Sequence, residues 1–170
     1  AAYRKTDPFG ELYVIAVSEP AAGAAATYTL TVTGAATASG TVNVYVGRTR
    51  IQAAVVSGDD VEAVASSIKD AINADPTLPV IASSAAGVVT LTARHKGLSG
   101  NEIPVVLNYY GYGGGEVLPA GVAIAVAAGA SGTGAPVLNG AIAAMADEPF
   151  DYIGHPFNDL ASVNAFVSEM

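Results

Sequence analysis

His95 and His155 are the only two imidazoles in a chain of 170 residues that contains neither Cys nor Trp. Either could act as general base for one of the many serines, with an Asp to orient the ring. Residues 93–101 (ARHKGLSGN) place His95 four positions before Ser99, yet a nucleophile and base so spaced in one loop have no reason to face each other. The Gly-x-Ser-x-Gly elbow that exposes a serine above an α/β sheet does not occur. This stretch predicts a structured loop, with Asn101 bonding its own backbone. Absence of Cys excludes a disulfide framework, a thiolate zinc site, an iron–sulfur cluster and a cysteine nucleophile. Two histidines leave little for a metal centre, so no catalytic, cofactor-binding or metal residue is assigned and no cofactor is expected.

Other constellations are equally poor in chemistry. Residues 111–116 (GYGGGE) lack a following Lys-Ser/Thr, and Glu116 would repel a phosphate held by the glycines; a flexible linker is expected there. Residues 128–134 (AGASGTG) lie between a predicted strand and helix, but their glycines do not follow the Gly-x-Gly-x-x-Gly order of a dinucleotide site. Asp147, Glu148, Asp151 and Asp159 have no facing acid that would make a glycosidase pair, and no alternating oxygen ligands for calcium. They read as solvated helix ends and loops. Tyr109, Tyr110 and Tyr112 read as packing at a domain junction rather than as a sugar or base platform.

The elements that would position these groups follow from periodicity. Residues 11–17 (ELYVIAV) form a compact apolar run consistent with a buried strand, and the Ala/Gly stretch 21–26 reads as a linker. Residues 27–33 (TYTLTVT) and 41–46 (TVNVYV) alternate with period two, and Gly47-Arg48 is the turn of a hairpin to residues 49–56. Asp59 is the expected cap of a helix, with Glu62 completing a capping-box-like pair. Val61, Val64, Ala65, Ile68, Ala71 and Ile72 share one face of that helix, which Pro76 ends. Alternation resumes at 80–84 and 88–94, and residues 103–109 give another strand.

The unit 27–110 is therefore β-β-β-α-β-β-β, an antiparallel β-rich insertion domain with one packed helix. The predicted order after it is strand 122–127, helix 136–146, strand 150–154 and helix 158–170, which belongs to an α/β layer with parallel strands. The predicted class is α+β, with residues 1–26 and 111–170 supplying part of a core α/β layer around the insertion. A start without Met and an end inside a helix suggest a piece of a longer protein.

Composition narrows the partners. Charged residues make up 13% of the chain, against about 25% in an average domain, and 34 of the residues are Ala. The net charge of −8 argues against nucleic acid, whose binding depends on Lys and Arg neutralising phosphates. All seven basic residues precede Gly97, and seven acidic residues follow it. This acidic section is expected to pair with basic surface on a partner, or simply to keep the surface soluble. The first eight residues lack the apolar core of a signal peptide, and no apolar run approaches the roughly 20 residues of a membrane-spanning helix.

Four stretches, by their order and spacing, resemble one family: residues 3–12 (YRKTDPFGEL), 74–80 (ADPTLPV), 91–101 (LTARHKGLSGN) and 147–153 (DEPFDYI). The chain is similar across its whole length to the tail sheath protein of Mu-like contractile phages. The resemblance implies a structural, non-enzymatic subunit that polymerises around the tail tube and contracts to drive the tube through the host envelope. It implies neighbouring sheath subunits, the tube protein, the baseplate and the tail terminator as partners, in the virion and, during assembly, in the host cytoplasm. Family subunits interlock through terminal arms that add strands to their neighbours; the arms are missing here, so the isolated fragment is expected to be monomeric, with the insertion facing outward. Competing readings are a surface adhesin or carbohydrate-binding module, a hydrolase fragment, and the sheath of a bacterial contractile injection device.

Overall fold

The computed structural model describes residues 12–146, 150 and 152–168. The stretch 3–11 and the carboxylates Asp147, Glu148 and Asp151 singled out in the sequence lie outside the described residues. Threonine-rich alternation becomes strand β1 (Ala25–Val32), which buries Ala26, Tyr28, Leu30 and Val32 and turns its threonines to the other face. Strands β2 (Gly40–Val46) and β3 (Thr49–Val55) follow as the expected hairpin, in register from Gly40↔Val55 to Val46↔Thr49. Helix α1 (Val61–Asn73), β4 (Val80–Ala85), β5 (Val88–Lys96) and β6 (Val105–Leu107) come next. Strand β7 (Ile124–Ala130) and two short helices, α2 (Asn139–Met145) and α3 (Leu160–Val167), complete the order.

The strands form two sheets, β4-β5-β1-β7 and β3-β2-β6, with every pairing antiparallel. Their inner faces share one core: Leu30, Val89 and Leu91 from the larger sheet, and Val42, Val44, Ile51 and Val55 from the smaller. Helix α1 packs against β3 in one sheet and β4, β5 and β1 in the other. It buries Val64, Ala65, Ile68 and Ile72 there, and each large side chain so buried is worth about 1.5–3 kcal/mol in removed apolar surface. The α+β class and the helix-packed antiparallel unit are thus present.

Several elements differ from their sequence expectations. Asp60, not Asp59, caps α1, its carboxylate accepting from the Ala63 N–H at 2.8 Å. Asp59 instead accepts from the Val56 N–H at 2.8 Å, holding the turn that leads into the helix. Residues 12–17 lie in no strand, and Leu12, Tyr13, Val14 and Ile15 are exposed. Described residues of 150–154 likewise form no strand. Both runs have strand composition, but among the described residues neither has a neighbouring strand to complete a hydrogen-bonded ladder, without which an extended segment has no stable sheet to join. Strand 103–109 contracts to Val105–Leu107, because its pairing with β2 ends where Asn108 turns left-handed at φ 45°. The strand expected at 122–127 exists as β7, but runs antiparallel beside β1 rather than in a parallel layer.

Candidate functional site

Among the described residues, the carboxylate of Glu116, 3% exposed at the end of the glycine-rich run, gathers three hydrogen-bond donors. Tyr45 in β2 points to the outer face of the smaller sheet, opposite Arg50 in β3 and Val106 in β6. Its phenol donates to Glu116 Oε1. Arg50 Nη1 lies 3.4 Å from the same oxygen, and the Tyr110 N–H donates to Oε2 at 3.0 Å. Burial pushes the Glu116 carboxyl up, but the three donors outweigh it and hold the group below its ordinary value. Burial, reinforced by the bond to Glu116, pushes the Tyr45 phenol up.

This carboxylate closes the loop that the sequence suggested would be a flexible linker. Glu116 N–H donates to Gly111 O at 2.9 Å, and Gly114 and Gly115 N–H groups bond to carbonyls of residues 110–112. Gly111 and Gly115 take φ of 55° and 72°, conformations that suit glycine. The run is a hydrogen-bonded turn, and the local signal that misled was its glycine content. The carboxylate is met by two side chains distant in sequence, Tyr45 and Arg50, and by the Tyr110 N–H within the same turn.

The turn presents tyrosines. Tyr109 and Tyr110 meet edge to face at 5.1 Å, with ring centroids 5.7 and 6.0 Å from Tyr45. Both outer rings remain about two-thirds exposed, and Tyr112 is 90% exposed. Below them the outer sheet face carries Asn43 and Gln52, paired in register and bonded side chain to side chain at 3.2 Å.

The hydrolase constellation is not brought together. His95 and Ser99 both line a cleft of about 430 Å³, together with Pro20, Pro136, Pro156, Phe157 and Asp159. Asp159 is committed to the Ser162 N–H at the start of α3, at 3.0 Å, and no hydrogen bond joins the histidine to the serine among the described residues. His155 stacks on Phe166 with centroids 4.6 Å apart. Asn101 bonds not its own backbone but that of Gly132, donating and accepting at 2.9 Å. That pair stitches the turn after β5 to the end of β7. Among the described residues no cluster of His, Cys, Asp and Glu is arranged to hold a metal ion, and no helix is long and apolar enough to cross a membrane.

The described residues form an antiparallel β-sandwich with a helix packed against both sheets. Residues 21–123 match the family described as the phage tail sheath protein beta-sandwich domain, and the chain belongs to that family. It is also 35% identical over 160 residues to the Mu-like prophage FluMu tail sheath protein of Haemophilus influenzae, an alignment covering 94% of this chain and 32% of the relative. The chain thus spans about one third of the length of the curated relative it matches.

Proposed function

We propose that the chain is part of a structural subunit of a contractile tail sheath, which assembles with other copies around a tail tube and contracts to drive it through a host envelope. The observation that carries this reading is the 35% identity to a tail sheath protein along 94% of the chain. Its partners on this reading are neighbouring sheath subunits, the tube, the baseplate and the tail terminator, and its place is the virion after assembly in the host cytoplasm. It performs no catalysis. Residues 27–110, with β7 completing their larger sheet, form an insertion that projects outward, while the segments before β1 and after β7 contribute to a core α/β layer. Exposure of Leu12, Val14 and Ile15 supports this division, since apolar side chains of strand composition are left for a sheet to cover.

Contraction in such an assembly repacks many modest subunit contacts between two discrete arrangements. The test is negative-stain microscopy of the full-length protein purified without other tail components. Hollow tubes of uniform diameter are expected. Dispersed monomers across low and high salt would overturn the reading.

A further inference from the structure

The tyrosine turn and the sheet face beneath it have no part in the sandwich core, yet they are built with unusual care. Tyr45 is buried on the outer face, outside the core shared by the two sheets. Its role there is to anchor Glu116, and Glu116 fixes the backbone of Tyr110. Exposed tyrosines on a fixed turn offer contact area at little conformational cost, because each has only two side-chain torsions to order.

The chemistry of the patch selects among ligands. The cation Arg50 and the anion Glu116 face each other, so their charges offset within the patch. Its centre is made of amides rather than aliphatic side chains, Val106 being the aliphatic member of the Arg50–Tyr45–Val106 row. Hydrogen-bonding capacity is left over. Arg50 is half exposed and uses one guanidinium nitrogen on Glu116, and Gln52 has its carbonyl oxygen free of protein partners among the described residues. Planar amide and guanidinium groups bridge neighbouring hydroxyls, while an aromatic ring covers the C–H face of a pyranose.

We propose that this face, centred on Arg50, Gln52, Tyr109, Tyr110 and Tyr112, is a binding site for neutral carbohydrate. Every residue named belongs to one folded chain. A sugar ring rests against the exposed tyrosines, and its hydroxyls meet Arg50 and Gln52.

The test is ¹H–¹⁵N NMR of the 170-residue chain, titrated separately with glucose-, galactose- and N-acetylglucosamine-based trisaccharides and with sialyllactose as a charged comparison. At least one neutral trisaccharide is expected to give saturable shifts confined to residues 43–52 and 108–116, with a dissociation constant on the order of 1 mM. Tyr112→Ala and Gln52→Ala should each weaken that binding about tenfold, a change of about 1.4 kcal/mol, with the thermal midpoint unchanged in Tyr112→Ala. No saturation with any neutral sugar, shifts located elsewhere, or tighter binding of sialyllactose overturns the proposal. So does movement of the same resonances with protein concentration alone, which would make the patch a contact between copies.

Discussion

Tyr45 and Glu116 lie 71 positions apart in sequence and share one hydrogen bond, the phenol donating to the carboxylate. That bond ties the C-terminal end of β2 to the far end of the tyrosine turn, so the turn is held by the sheet it covers. With Arg50 and the Tyr110 N–H on the same carboxylate, a loop rich in glycine acquires the order of a folded element. Removing the charge should therefore loosen the turn before it loosens the core.

Glu116→Gln keeps the shape but loses the charge that the three donors favour. The folded protein holds the Glu116 carboxyl below its ordinary 4.5, so the unfolded chain takes up the proton first as pH falls. Its contribution to stability is complete above the unfolded value and is lost as pH drops through the folded one. The variant should have a lower thermal midpoint at pH 7, and the gap to the parent protein should close below about pH 4.5. Asp75 and Asp159, held low by their hydrogen bonds to Thr77 and Ser162, titrate alike in both proteins and cancel in the difference. Thermal melts followed by circular dichroism between pH 3 and 7, on the order of one unit apart, check this; a constant gap would show that the carboxylate charge does not matter.

Gly129 and Gly113 separate close approach from mere flexibility. A Cβ on Gly129 in β7 would sit 2.1 Å from Tyr28 Cζ, whereas one on Gly113 meets nothing within 4 Å. The Tyr28 ring is buried, and its hydroxyl is fixed by a 2.6 Å bond to Gly100 O, so it cannot swing away without losing that bond. Gly129→Ala should cost about 1–3 kcal/mol in urea unfolding, the usual penalty of overpacking. Gly113→Ala should stay within about 0.5 kcal/mol, as an exposed substitution does. Equal costs would mean that β7 does not press on β1 at this point.

The sandwich was legible where one face of an element is wet and the other dry. In β1 and β5 that contrast writes itself into the sequence as period two: Tyr28, Leu30, Val89 and Leu91 point in, and Thr29, Thr31 and Thr90 point out. The helix was legible for the same reason, through Val64, Ala65, Ile68 and Ile72. What stayed hidden depends on partners distant in sequence. Nothing near Glu116 signals Tyr45 or Arg50, and nothing near Asn101 signals Gly132. Residues 12–17 show the converse case, since apolar strand composition is local but a ladder is not. The family resemblance carried more about function than any local chemistry, because the order of the quoted stretches survives where single residues are mute.

Asp59 and Asp60 are adjacent carboxylates of which one caps the helix. Asp60 is extended, at φ −78° and ψ 177°, which aims its side chain at the Ala63 N–H; Asp59 is turned back to Val56 and contributes its backbone carbonyl to Ala36 N–H at 2.8 Å. Losing the Asp60 carboxylate leaves a first-turn N–H without its acceptor, so Asp60→Ala should cost about 1 kcal/mol and Asp60→Asn much less. The cost should be felt by the whole sandwich, because α1 contributes Ile68 and Ile72 to the common core and cannot fray independently. Ile68→Ala sets the scale, at about 2–5 kcal/mol for a fully buried isoleucine. Native-state hydrogen exchange distinguishes the outcomes: in Asp60→Ala, amides of α1, β1 and β5 should lose protection together. If α1 alone loses protection, the helix is a separable cover on the sheets rather than the wedge that joins them.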